Sequence, residues 1–172
     1  GLEVPATTEE LLDVLRAFRD GDPNGNGNAA DEIPYAVEDS GATHNGRADI
    51  ISGLFGLYYN MGYENIRLEG GKVSFLKNTD EWKEVLKYMN TMYMEGLMDN
   101  EIYTQTGDMS IAKISSGNVG VFGLSSDDLF TTVSDQYVAL APVQSPNGKT
   151  PVIQLASNSM GSNTFITSAD ET

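Results

Sequence analysis

The sequence predicts an α/β domain, a mixed sheet flanked by helices. Apolar residues recur at helical spacing near the start and in the middle of the chain, and short β-rich runs are interleaved with them. The composition is that of a folded chain, with 40% hydrophobic and 20% charged residues over 172 positions. Because helices separate the strand-like runs, the sheet is expected to be assembled from non-consecutive strands. The length suits a single domain over residues 1–172.

The first helix starts at Thr7-Thr8-Glu9-Glu10, a Thr-x-x-Glu capping pattern, carries Leu11, Leu12, Val14, Leu15 and Phe18, and stops at Gly21. A Gly/Asn loop follows, then the short extended run Ile33–Val37. Ala48 to Tyr59 reads as a second helix with Ile51, Leu54, Phe55 and Tyr58 on one face and Gly62 as its stop. Ile66–Leu68 and Val73–Phe75 around Gly70-Gly71 predict a β-hairpin, a small surface appendage. A long helix comes next, capped from Asn78 and Glu81, with Trp82, Val85, Leu86, Met89 and Tyr93 as its apolar ridge and Gly96 as its end. Trp82 therefore reads as core more than as a ligand platform. Asp108 to Ser116 reads as a shorter helix and Asn118 to Gly123 as a buried strand whose glycines admit a close neighbour. Ser125–Asp128 is expected to start another short helix, Tyr137–Val143 to form a strand, and Pro146-Asn147-Gly148 a turn. Val152–Leu155 and Thr164–Thr167 are two further strand-like runs around a polar segment.

Charge narrows the function. There are 10 Lys and Arg against 25 Asp and Glu, a net of −15, so the surface repels phosphate and no nucleic-acid partner is expected. Residues 1–50 hold 11 of the acids and only 3 of the bases, which concentrates negative charge around the Gly/Asn loop. The absence of cysteine removes thiol catalysis, disulfides and cysteine-based zinc sites. No run of apolar residues is long enough to span a bilayer, and no signal peptide opens the chain. Starting at Gly1 without a methionine, the chain reads as a piece of a longer protein, so a targeting signal is free to lie outside it.

The sharpest motif is Asp22-Pro23-Asn24-Gly25-Asn26-Gly27-Asn28-Ala29-Ala30-Asp31-Glu32. With Asp22 as position 1, oxygen side chains fall at positions 1, 3 and 5, glycine at 6 and the backbone carbonyl of Asn28 at 7, the way an EF-hand loop wraps calcium. The far end departs from that pattern. Position 12 is Ile33, the acids sit at 10 and 11, and Pro34 prevents a second helix. A plain solvated Asx turn is the alternative, but three carboxylates so close together would repel one another without a cation.

Other chemistry finds less support. Gly25-x-Gly27-x-x-Ala30 imitates a dinucleotide fingerprint but follows a helix and leads into Pro34. His44, the lone histidine, lies in a polar loop with no nucleophile motif beside it. Any acidic chain supplies carboxylate pairs, so none is singled out for glycoside hydrolysis. Sugars, by contrast, need aromatic faces with amides or hydroxyls nearby, and Phe55, Tyr58, Tyr59, Phe122, Ser125 and Ser126 offer these. Phe55 and Tyr58 read as core; Tyr59, Phe122 and the serines remain candidates for a lining.

Several segments together resemble one family, the extracellular solute-binding proteins of bacterial ABC importers, especially the sugar and oligosaccharide binders. They are Gly1–Leu11, Ala17–Gly27 with Asp31-Glu-Ile-Pro34, Gly71-Lys-Val73, Met92–Asp99 and Gly117–Gly120. The resemblance implies one lobe, mainly the second, of a two-lobed periplasmic-binding-protein-like (type II) fold, with calcium held by Asp22, Asn24, Asn26, the backbone of Asn28, and Asp31 or Glu32. One extra alanine before the acids leaves open which of them closes the site. It implies a carbohydrate solute held between lobes, with Leu124, Ser125 and Ser126 and the polar pair Ser157 and Asn158 lining this half of the cleft. The motion is hinge closure, the partner an ABC permease, and no covalent step is expected. The whole protein would be a monomer and a lipid-anchored extracellular lipoprotein. Two rival classes are a calcium-dependent module of a surface polysaccharide apparatus, which would need a second calcium loop, and a carbohydrate-active enzyme.

Overall fold

The computed structural model describes residues 2–37, 51–57, 66–123 and 133–151. Helix α1 runs from Thr8 to Asp20 and is closed by the capping box read from the sequence. The Glu10 N–H donates to Thr7 Oγ1 at 3.2 Å, and the Thr7 N–H donates back to Glu10 Oε2 at 3.1 Å. Strand β1 (Ile33–Val37) pairs in parallel with β4 (Val119–Gly123), in register from Ile33 opposite Val119 to Val37 opposite Gly123. These are the non-consecutive strands expected of an α/β layer. The antiparallel hairpin β2 (Ile66–Glu69) and β3 (Lys72–Phe75) turns through Gly70 and Gly71, both at positive φ as a type I′ turn requires. Among the described residues it is a separate two-stranded sheet, so parallel and antiparallel pairing both occur without merging into one mixed sheet.

Helices α2 (Asp80–Met94) and α3 (Gly107–Ser115) fill the crossover from β1 to β4. Thr79, and neither Asn78 nor Glu81, caps α2, its hydroxyl accepting the Trp82 N–H at 3.3 Å. The buried face of α2 is Val85, Tyr88, Met89 and Met92, with Trp82 half-buried against the core. Leu86 and Tyr93, expected on that ridge, are about half exposed; the face is rotated toward Tyr88, whose hydroxyl donates to the buried Thr8 carbonyl at 2.8 Å. Gly96 at φ 68° ends the helix in a Schellman closure, the Leu97 N–H reaching the Met92 carbonyl at 2.7 Å.

The helical segment at 51–54 ends in the same way but earlier than expected. Gly56 at φ 75° sends the Leu57 N–H to the Ser52 carbonyl at 3.1 Å, so the stop is Gly56 instead of Gly62. Tyr58 and Gly62 lie outside the described residues. Residues 137–143 are not a strand either. Val138 is 91% exposed, Pro142 offers no N–H, and the chain bonds to its N-terminal neighbour only at Gln144, through a bridge to Thr7. The turn at 146–148 forms as expected, with the Gly148 N–H donating to Ser145. The strand-like runs 152–155 and 164–167, the helix start at 125–128 and His44 lie outside the described residues.

The main core joins Leu11, Leu12 and Leu15 of α1 to Tyr35 and Val37 of β1, Phe55, and the α2 face, while Ala36, Ile114 and Val119 form a second, smaller cluster between β1, α3 and β4. Gly120 fits here because a Cβ at that position would lie 2.8 Å from the Phe18 ring, so its lack of a side chain lets α1 seat on β4. At the rim, Arg16 forks onto Glu95, Nε to Oε2 at 2.6 Å and Nη2 to Oε1 at 2.8 Å, while Arg19 donates to the Glu95 carbonyl at 2.6 Å. The bond from Arg16 holds the Glu95 carboxyl below its ordinary range. A lowered folded-state value means the contact stabilises the chain above the unfolded value and is lost in acid. Glu95→Gln is therefore expected to melt below wild type at neutral pH, with the gap closing as pH falls through the carboxylate range, read from melting curves across pH.

Candidate functional site

The loop at 22–32 leaves α1 at Gly21, whose N–H still donates to the Ala17 carbonyl at 3.0 Å, and enters β1 at Ile33. Its side chains organise its own backbone. Asp22 accepts the Asn26 N–H at 3.1 Å on Oδ1 and the Gly27 N–H at 2.8 Å on Oδ2. Asn24 Oδ1 accepts the Asn26 N–H at 2.9 Å, Asn26 Oδ1 the Asn28 N–H at 2.7 Å, and Asn28 Oδ1 the Ala30 N–H at 3.3 Å. Gly25 and Gly27 stand at φ 70° and 85° with open space where a Cβ would be, so glycine serves the backbone turn and not packing. All six residues read as calcium ligands thus lie on one wrapped loop.

At the loop's exit the carboxylates are under-satisfied. Asp31 Oδ2 accepts from Asn26 Nδ2 at 2.9 Å and from Asn118 Nδ2 at 3.3 Å. Asp31 Oδ1 and both oxygens of Glu32 are buried with no hydrogen-bond partner. Burial pushes the Glu32 carboxyl above its ordinary value; a backbone contact with Asn24 opposes this, and the charges of Asp31 and Asp22 add to it. Buried, unpaired acceptor oxygens are costly unless something positive meets them. A hard cation with an all-oxygen shell suits this donor set. Among the described residues no three acidic or histidine side chains form a metal cage by themselves, so a cation here would draw on the asparagines and backbone as well.

A recess of about 400 Å³ lies beside this exit, lined by Asp31, Glu32, Pro34, Met98, Asp99 and Glu101 among others. Its second pair of acids is already bridged by a lysine. Lys113 Nζ donates to the buried Asp99 carboxylate at 2.9 and 2.8 Å and to Glu101 at 2.7 Å. Burial works against the Lys113 charge, but these bonds outweigh it and raise its pKa. The sequence did not reveal this triad or the bond from Asn118, because both join residues distant along the chain.

Of the sugar-lining candidates, the structure describes Phe122 alone. It is half-buried against Ala36, Ile114 and Val119, and its ring meets Tyr137 edge-on at 4.8 Å. Tyr59, Leu124, Ser125, Ser126, Ser157 and Asn158 lie outside the described residues. The position of the strand ends is informative all the same. The loop at 22–32 enters the N-terminal end of β1, beside the N-terminal end of β4, and the opposite end of the pair is Val37 and Gly123. Five residues of strand put those ends about 13 Å apart.

No family model matches the chain. The fructooligosaccharide ABC transporter substrate-binding protein FusA of Streptococcus pneumoniae is 34% identical over 163 residues, 94% of this chain and 29% of that protein. The structure of FusA in complex with kestose superposes with a TM-score of 0.75 at 32% identity, over 87% of this chain and 30% of that one. In sequence and in fold the chain is similar to solute-binding proteins of ABC transporters. An HMO-binding solute-binding protein associated with an ABC transporter of Bifidobacterium longum infantis matches with a TM-score of 0.70 at 32% identity, over 85% of this chain and 31% of that one. The lipoprotein LipO of Bacillus subtilis is 26% identical over 121 residues, 70% of this chain and 23% of that protein. A FusA EF-hand mutant in complex with fructo-nystose matches with a TM-score of 0.74 at 32% identity, over 87% of this chain and 30% of that one. The chain spans under a third of the length of these relatives.

Proposed function

We propose that this chain is part of a solute-binding protein that captures an oligosaccharide outside the cell and delivers it to an ABC permease. The likeness to FusA over almost the whole chain, in sequence and in fold, carries this reading. The kinship with LipO supports a lipid-anchored, extracellular protein, and we read it as a monomer with no catalytic step of its own. The chain would supply most of one lobe. Ligands of open α/β sheets sit beyond the C-terminal ends of parallel strands. Here that is the end marked by Val37 and Gly123, and the residues next in sequence to Gly123 are Leu124, Ser125 and Ser126. With Phe122 and Tyr59 as stacking faces and Ser157 and Asn158 as hydrogen-bonding groups, they are the side chains we assign to the sugar.

The loop at 22–32 is the calcium site in this reading, held by Asp22, Asn24, Asn26, the Asn28 carbonyl, and Asp31 or Glu32. The buried unpaired oxygens at its exit and the presence of an EF-hand in FusA support it. When bound, calcium supplies charge neutralisation and fixes the course of the chain from α1 into β1. It does no chemistry on the solute, since the loop stands at the strand ends opposite the sugar. The test is a calorimetric titration of the full-length protein with kestose and a panel of other oligosaccharides. Saturable heat with at least one is the expected result; silence across the panel would sink the proposal.

A further inference from the structure

We infer that Asn118, which lies far outside the loop at 22–32, is the positioning residue of its cation site. This rests on the calcium reading and deepens it. Asp31 divides its two oxygens between different tasks: Oδ2 accepts from Asn26 Nδ2 at 2.9 Å and from Asn118 Nδ2 at 3.3 Å, while Oδ1 is buried and has no partner. A carboxylate gripped at one oxygen by two N–H donors has little freedom to turn, so its other oxygen is delivered in a fixed direction. The two donors are not equivalent. Asn26 belongs to the loop and travels with it. Asn118 is anchored to the sheet, its carbonyl accepting the Ile33 N–H at 2.8 Å and its own N–H directed to Ser116 Oγ at 3.4 Å.

Asn118 thus ties the acid at loop position 10 to the start of β4, and through the Ile33 bond to the start of β1. It presents Asp31 Oδ1 as a preset acceptor for the cation. Second-layer hydrogen bonds of this kind orient the residues that touch a metal, and losing one typically weakens metal affinity about 10–100-fold. Neither Glu32, which no side-chain amide of the sheet holds, nor Asp99 and Glu101, which Lys113 holds, is presented in this way.

The test uses Asn118→Leu, which keeps the bulk and removes the donor, and Asn118→Ser, whose hydroxyl is too short to reach Asp31, should the leucine variant not fold. Calcium affinity is measured by calorimetry on the full-length protein, and melting temperature is measured in chelator. A calcium Kd raised about tenfold, with the melting temperature in chelator close to wild type, is expected. A role confined to structure would lower the melting temperature in chelator and leave the Kd unchanged, and a rise below about threefold overturns the proposal. If the wild-type protein takes no calcium, the calcium reading itself has failed.

Discussion

Asp22→Ala is expected to erase a calcium-dependent rise in melting temperature that the wild-type chain shows. A ligand that binds only the folded state at a hundred times its Kd stabilises by about 2.7 kcal/mol. For a chain of this size that is a shift of about 5–10 °C. Asp22 is the residue to remove because it would serve twice. Its carboxylate accepts the backbone N–H groups of Asn26 and Gly27, which wraps the loop, and it stands first among the proposed ligands. The comparison is between melting curves in calcium and in chelator. Wild type should separate into two curves and Asp22→Ala should not; two coincident wild-type curves would remove the calcium site from the account.

Leu15→Ala is expected to have an effect of comparable size that calcium does not mask. Leu15 is fully buried where α1 meets β1 and α2, and truncating such a leucine costs about 2–5 kcal/mol through lost burial and the cavity left behind. The matching control is Leu86→Ala. Leu86 shares a helix with the buried Val85 yet is 48% exposed, so its truncation should cost well under about 1 kcal/mol. Denaturant unfolding of the two variants checks both the core and the orientation of α2. Equal losses would mean that α2 presents the face expected from its sequence and not the one seen here. Because Leu15 lies in the helix and the loop begins only after Gly21, the calcium increment should survive in Leu15→Ala.

The contrast between Leu15 and Leu86 also shows what the sequence discloses. Elements set by neighbours in the chain were legible: the Thr7–Glu10 box, the Gly70-Gly71 hairpin, and the Asp/Asn loop with its two positive-φ glycines. Features set by partners far along the chain were not. One local choice was missed as well: Asn78 and Thr79 are both good caps, and the preceding turn of helix, with the Thr79 hydroxyl donating to the Leu76 carbonyl, goes with Thr79. Tyr137–Val143 has strand composition, but a strand needs an edge to pair with, and among the described residues it has none beyond the bridge at Gln144. Tyr88, absent from the ridge expected of α2, is buried where its hydroxyl meets the Thr8 carbonyl on α1. The same holds at the site. The loop's Asp/Asn/Gly turn is local and could be read, whereas the Asn118 bond to Asp31 and the Lys113 bridge to Asp99 and Glu101 exist only once β4 and α3 have packed.

The arrangement of a metal loop at one end of the parallel strands and a sugar at the other is tested most directly by the sugar affinity of Asp22→Ala in the full-length protein, titrated by calorimetry with kestose or another saccharide that wild type takes. The titration is run well below the melting temperature of the variant. Affinity within about threefold of wild type, less than about 0.7 kcal/mol, is the expected result if, as proposed, the loop stabilises the fold without touching the solute. Loss of binding in a variant that is still folded would contradict it and place the loop at the solute itself.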